Sequence, residues 1–135
     1  MVGLFGTKAA LIYDVNLLLQ FVILIILLAG VFAVKKGHFK GHGYLMTFAV
    51  ALNGALIFAV MGVSLITNFG ALMVGPVVGR IITIIHAVIG GFAWILGLIL
   101  VFKKFGNVRL WMRIVFTTWI LALLLGIGFY LFYYI

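Results

Sequence analysis

The sequence predicts an all-α integral membrane protein folded as an antiparallel four-helix bundle. Of its 135 residues, 68% are hydrophobic and 7% are charged, and the mean hydropathy is +1.49. This composition leaves too little polar surface for a soluble globule. The apolar residues fall into four runs, each long enough to cross ~30 Å of hydrocarbon as a helix. The strict alternation typical of a membrane β-barrel is missing from these runs.

The four runs are separated by short charged or glycine-containing loops. We expect a single transmembrane domain over residues 1–135, with spans at about 11–34, 44–67, 81–102 and 114–135. The first run is too long for the apolar region of a signal peptide. It is followed by Lys35 and Lys36 where a cleavage site needs small neutral residues, so we expect it to be retained. Pro76 falls in the second loop and interrupts no helix.

The basic residues are concentrated on one side of the predicted membrane domain. The first and third loops contain seven of the nine Lys and Arg residues: Lys35, Lys36, Lys40, Lys103, Lys104, Arg109 and Arg113. Lys8 and Arg80 lie on the other side. The positive-inside rule therefore predicts that both termini face outward and that loops 35–43 and 103–113 are cytoplasmic. Charges in loops indicate contact with membrane lipids and argue against nucleic acid as a partner.

Small residues recur at four-residue spacing in the second and third spans. Helices in lipid approach closely where small residues face each other. The pattern is formed by Ala51, Ala55 and Ala59, by Ala87 with Gly91, and by Ala93 with Gly97. We expect these positions to pack the four helices into a compact bundle.

Polar residues within the spans are costly in hydrocarbon unless they are paired. Asp14 in the first span and Arg80 in the third lie at similar depth, so we expect an ion pair between them. A structural role is favoured over proton or substrate passage. Asp14 is also the sole carboxylate side chain, which excludes paired-carboxylate catalysis. No serine has a plausible base beside it, so we expect no enzymatic activity.

His86 is an imidazole placed inside the third span. On its helix, the stripe continues through Gly90, Ala93 and Gly97, which predicts a groove for a flat cofactor or for a neighbouring helix. With Met61 at similar depth, His86 could ligate haem iron or Cu(I). A hydrogen bond from His86 to Gln20 or Asn53 is the favoured alternative.

His38 and His42 form an HxxxH spacing in the first loop and are candidate metal ligands. Gly37, Gly41 and Gly43 argue against a helix that presents both rings on one face, and the nearby lysines repel a cation. Solvated residues attracted to anionic head groups are therefore the favoured interpretation. Both histidines lie on the opposite side of the membrane from His86, so the three cannot share one metal within a subunit.

Three stretches resemble a known family. They are KKGHFKGHGYLMTFAVALN around the first loop, IITIIHAVIGG around His86, and RLWMR before the last span. They are similar to the small four-helix membrane proteins associated with haem-copper oxidase assembly, the CtaM-like group. In that group, loop histidines precede a Leu-Met pair, as His38 and His42 precede Leu45 and Met46 here. The third loop of this chain lacks the histidine that the group has there.

The resemblance implies a non-catalytic accessory or assembly subunit of a membrane redox complex, such as a terminal oxidase or a related copper or haem enzyme. Larger subunits of that complex would be its partners. A second hypothesis is a membrane electron carrier that binds haem or copper through His86. A third is a small transporter or channel, in which Asp14, Gln20 and Asn53 line a path; the lack of an inverted repeat makes it the least favoured.

Overall fold

The computed structural model describes residues 3–135 and confirms an all-α bundle with four helices long and apolar enough to cross a membrane. They are Leu11–Lys35 (span 1), Phe39–Thr67 (span 2), Val77–Phe102 (span 3) and Val108–Tyr134 (span 4). A short helix, Phe69–Val74, connects spans 2 and 3. Many large apolar side chains face outward on all four spans. The chain is therefore a multi-pass membrane protein whose outer surface contacts lipid.

The four spans form a square in chain order. Spans 1 and 2 pack as one hairpin and spans 3 and 4 as another, while spans 2 and 3 contact each other along part of their length and spans 1 and 4 contact more sparsely. The diagonal pairs, 1 with 3 and 2 with 4, have no backbone approach within 8 Å. Short loops favour this arrangement, because they force consecutive helices to be antiparallel neighbours.

Three spans begin earlier than the hydropathy pattern predicts. Span 2 begins at Phe39, span 3 at Val77 and span 4 at Val108, whereas the expected starts were 44, 81 and 114. Hydropathy marks the part of a helix that lies in hydrocarbon, and each helix continues into the interface, where basic side chains reach water. Span 1 ends at a tight turn in which Gly37 has a φ of 80°, a conformation that glycine adopts without strain. Pro76 precedes span 3 and interrupts no helix, as predicted.

The bundle has two chemically different ends. The terminal end contains the segment before span 1, the end of span 4 and the connection between spans 2 and 3. The basic end contains the span 1–2 and span 3–4 turns. Asn107 caps span 4 at the basic end, where its side-chain oxygen accepts a 3.2 Å hydrogen bond from the backbone N–H of Leu110. Between the two ends, the buried core is formed by Ile23, Ala49, Leu56, Ala93, Trp119 and Leu123.

The small residues divide between the inside and the outside of the bundle. Ala93 and Gly97 are buried, as predicted, and a methyl group added at Gly97 would touch Val50 and Val115. The prediction was wrong for the other two sets. Ala51, Ala55, Ala59 and Ala87 are exposed, and the position of a Cβ at Gly91 has nothing within 4 Å. Four-residue spacing shows that residues share a face, but it does not show which way that face points.

Span 2 changes its helical geometry midway. It is α-helical over Phe39–Leu56, π-helical over Ile57–Gly62 and α-helical again over Val63–Thr67. A built Cβ at Gly62 would lie 3.1 Å from the Ile57 carbonyl oxygen, so glycine suits this wider turn. A π-segment rotates the residues that follow it relative to those before it.

Candidate functional site

The terminal end contains the only carboxylate side chain of the sequence in a buried polar cluster. Asp14 has 0% of its surface exposed. One of its carboxylate oxygens accepts a short hydrogen bond from the Tyr130 hydroxyl, which lies 2.9 Å from the Thr7 hydroxyl. The backbone N–H of Lys8 donates to the Tyr134 carbonyl over 3.2 Å. These contacts attach the segment before span 1 to the end of span 4.

The expected ion pair between Asp14 and Arg80 does not form among the described residues. Asp14 pairs with Tyr130 on span 4, and its second oxygen is buried without a hydrogen-bond partner there. The reason is the square arrangement, since spans 1 and 3 are diagonal and their backbones do not approach each other within 8 Å. Similar depth in the membrane is necessary for an ion pair, but the two helices must also be neighbours.

His86 joins span 3 to span 4 by a hydrogen bond. Its Nδ1 lies 2.8 Å from the carbonyl oxygen of Ala122, and a carbonyl only accepts, so Nδ1 carries the proton. A Cβ at Gly126 would lie 2.9 Å from the imidazole ring, which shows that glycine leaves room for the ring. The groove beside His86 was predicted to hold a flat cofactor or a neighbouring helix, and span 4 lies there. The favoured hydrogen bond from His86 to Gln20 or Asn53 does not form, because those two side chains bond to each other.

Met61 and His86 lie in segments that contact different neighbours. It lies in the π-helical segment of span 2, which contacts span 1 and has no backbone approach to span 3 within 8 Å. Within residues 3–135, no three His, Asp or Glu side chains are grouped to hold a metal ion. The His86 ring bonds to span 4, and the segment that contains Met61 contacts span 1, so the backbone contacts do not pair these two side chains.

Gln20 and Asn53 form a buried pair between spans 1 and 2. The Gln20 amide nitrogen donates to the Asn53 amide oxygen over 3.1 Å, and each side chain is 7% exposed. Both were predicted as structural polar residues, and the structure gives each an amide partner. Asn53 also lines the cavity described below, so the pair lies at a boundary between the core and open space.

The two first-loop histidines have different environments. His42 lies within span 2 and packs on span 1, where its Nδ1 lies 2.8 Å from the Gly30 carbonyl oxygen. Its Nε2 is buried and has no hydrogen-bond partner within residues 3–135. His38 precedes span 2 and is exposed. Gly41 and Gly43 are helical, whereas Gly37 lies in the turn before span 2. The helix places the His42 ring against span 1 and leaves His38 exposed.

A large cavity opens between the two hairpins near the basic end. Its volume is about 1230 Å³, and all four spans contribute to its walls. Asn53, Ile23 and Trp119 lie among its deepest residues, near the middle of the spans, and apolar side chains dominate the walls above them. Five basic residues lie around its opening: Lys35, Lys40, Lys104, Arg109 and Arg113. It is larger than the ~300–1,000 Å³ typical of sites for drug-sized ligands.

Comparison with protein-family models, with curated proteins and with solved structures finds no match. Function must therefore be inferred from the chain's own surfaces. Two of these have no structural use inside the bundle: the cavity at the basic end and the outward small residues of spans 2 and 3.

Neither the cavity nor the role of Tyr130 was predicted from the sequence. The Tyr130 hydroxyl is the partner of the buried carboxyl group. A signal was present, since a lone carboxylate in a span needs a donor and Tyr130 lies at the matching depth on a helix of opposite direction. The cavity had no comparable signal, because a gap between helices depends on how they tilt.

Proposed function

We propose that this chain is a non-catalytic accessory or assembly subunit of a larger membrane complex. The observation that supports this proposal most directly is the outward face of span 2, which we call the alanine ridge: Ala51, Ala55 and Ala59. All three are exposed. In lipid, small residues allow a second helix to approach closely enough for van der Waals packing and weak hydrogen bonds. A partner helix from another subunit would use this surface.

A second small-residue surface supports the same proposal. Ala87 is exposed on span 3, and one turn further along, a Cβ at Gly91 would have nothing within 4 Å. Spans 2 and 3 are neighbours in the bundle. The partner would therefore contact the side of the molecule that these two spans form, with spans 1 and 4 turned away from it.

The kind of complex is proposed from the resemblance to the oxidase-assembly group. A terminal oxidase, or a related copper or haem enzyme, fits a chain that has a single acidic residue and in which Asp14, Gln20 and His86 bond to neighbouring helices. The chain would act through contacts between helices within the bilayer, without catalysis of its own.

We also propose the orientation that the charges predict, with the basic end cytoplasmic and both termini outside. Seven of nine basic residues lie in or beside the two turns of the basic end. Cysteines introduced in place of Lys36 and Thr7 test this with a membrane-impermeant thiol reagent on intact cells. Labelling at position 7 alone is expected, and labelling at position 36 alone would reverse the orientation.

The test of the accessory role is purification of the intact chain from native membranes in a gentle detergent, followed by mass spectrometry of co-migrating subunits. Large subunits of a copper or haem enzyme are expected. Ala55→Leu should release them by filling the alanine ridge. Gly128→Leu is the matched control, because it adds similar bulk on span 4 at a position with open space around it.

Both variants should keep the thermal unfolding midpoint of the parent chain, which shows that the bundle is intact. Equal recovery of partner subunits with the Ala55→Leu and Gly128→Leu variants would exclude the alanine ridge as the contact. Recovery of the parent chain alone would exclude the accessory role itself.

A further inference from the structure

The cavity at the basic end combines a positively charged opening with an apolar interior. Lys35 comes from span 1, Lys40 from span 2, Lys104 from the third loop, and Arg109 and Arg113 from span 4. All five side chains are exposed. The positive charge at this one opening therefore comes from four separate segments of the chain.

These charges cannot be neutralised by acidic side chains of the same chain. The sequence contains nine Lys and Arg residues and one acidic residue. That residue, Asp14, is fully buried at the terminal end and binds Tyr130. Positive charges held together near a low-dielectric cavity repel one another and attract an external anion.

The cavity walls require an apolar ligand. Between the basic opening and Asn53, they are formed largely by aliphatic, aromatic and thioether side chains, such as Val31, Leu100, Met112 and Phe116. A small soluble anion would neutralise the opening and leave about 1230 Å³ of mostly apolar space unfilled. A neutral lipid would fill the space and leave the charges without a counterion. An anion with long apolar chains satisfies both requirements.

We propose that this cavity binds one anionic phospholipid, with its phosphate among the basic side chains and its acyl chains between the hairpins. The walls contribute little selectivity, since an acyl chain that enters from the bilayer exchanges one apolar environment for another. Selectivity therefore comes from the head group. Each Lys or Arg near a membrane surface favours an anionic lipid by about fivefold.

The positions of the tryptophans allow lipid binding in the cavity to be measured directly by fluorescence. Trp94 and Trp119 line the cavity, and Trp119 is only 7% exposed. Trp111 packs on Phe105 near the third loop and is not among the lining residues. A Trp111→Phe chain therefore reports on the cavity through its two remaining tryptophans. The probe is phosphatidylglycerol with brominated acyl chains, which quench tryptophan fluorescence on contact.

The intact Trp111→Phe chain would be titrated in nanodiscs of unbrominated phosphatidylcholine. Saturable quenching by brominated phosphatidylglycerol is expected, with at least tenfold weaker quenching by brominated phosphatidylcholine of the same chains. A large excess of glycerol phosphate should not reverse the quenching, because it has no acyl chain. Reversal would assign the site to a soluble phosphate, and equal quenching by the two lipids would overturn the proposal.

A charge-matched pair of variants tests the opening itself. Arg109→Gln with Arg113→Gln removes two charges at the opening, and Lys8→Gln with Arg80→Gln removes two at the terminal end. The first pair should weaken phosphatidylglycerol binding by about 25-fold, from the fivefold preference per charge, and the second should leave it within about twofold. Among residues 3–135, the side chains of Arg109 and Arg113 make no hydrogen bond, and both are exposed. Equal weakening by both pairs would show general attraction to the bilayer surface and would overturn the assignment of this site.

Discussion

The hydrogen bond between Tyr130 and Asp14 is expected to stabilise the terminal end, and Tyr130→Phe tests it. The substitution keeps the aromatic ring and removes the hydroxyl that donates to the carboxyl group and lies 2.9 Å from Thr7. Hydrogen bonds between helices in membranes are worth about 0.6 kcal/mol on average and up to about 1.7. Removing the donor of a buried acceptor costs about 1–3 kcal/mol.

The cost of an unsatisfied buried acceptor applies here, because Asp14 is fully buried and its other oxygen has no partner among the described residues. Tyr130→Phe would remove the one hydrogen bond that the structure gives this carboxyl group. We expect the free energy of unfolding to fall by about 2 kcal/mol, which is roughly a 30-fold change in the unfolding equilibrium. Most of the loss reflects a buried acceptor that has no donor in the folded chain.

Tyr133→Phe is the matched control, since Tyr133 is on the same helix and its buried hydroxyl has no hydrogen-bond partner in the part of the chain that the structure describes. Its removal should change the free energy of unfolding by less than about 0.5 kcal/mol, or raise it. Both chains would be unfolded reversibly in mixed micelles of a mild detergent and dodecyl sulfate, and followed by circular dichroism. Equal losses for the two variants would refute the assigned role of Tyr130.

Two further predictions concern contacts between neighbouring spans. Gln20→Met leaves the Asn53 amide buried without its donor and should lower the free energy of unfolding by about 1–2 kcal/mol. Replacing both amides with apolar residues should recover most of that loss in the same micelle assay; a double variant as unstable as the sum of the single ones would contradict this. Gly126→Ala places a methyl group against the His86 ring, 2.9 Å from it, and should cost about 1–3 kcal/mol. Gly128→Ala, where the space is open, should be neutral or stabilising, so a loss as large at Gly128 would show that helix geometry and not ring contact is responsible.

The number, type and approximate bounds of the spans could be predicted because each depends on the sequence near it. Twenty apolar residues must be helical in lipid, where no water is present to bond the backbone. The neighbours of each span could not be predicted in the same way. The prediction of an ion pair between Asp14 and Arg80 was wrong. The sequence indicates the depth of each residue in the membrane, but it does not indicate which helices are neighbours in the bundle.

The environments of the histidines show the same limit. His86 was correctly placed on a stripe of small residues, and the structure shows that span 4 fills the groove beside it. His42 was expected in a solvated loop, because three glycines surround it. Tertiary contact with Gly30 on span 1 stabilises a helix there despite the low helix propensity of glycine. No local pattern in the sequence contains that contact.

Every pair of neighbouring spans is joined by at least one hydrogen bond from a polar side chain. Gln20 bonds to Asn53 between spans 1 and 2, and Trp94 donates to the Val50 carbonyl between spans 2 and 3. His86 bonds to span 4, and Tyr130 bonds to span 1. Because lipid provides no hydrophobic drive for helix association, such bonds and close packing must fix the order of the helices.

This use of polar groups determines where a function can lie. Asp14, Gln20 and His86 each bond to a neighbouring span and so help to hold the bundle together. The remaining features without a structural use are on two different surfaces, the cavity with its basic opening and the outward alanine ridge of span 2. A lipid in the cavity would hold the two hairpins at a fixed separation near the basic end, while the alanine ridge stays free to contact another subunit. Loss of lipid binding in the arginine variants and loss of partners in the Ala55→Leu variant should therefore occur independently of each other.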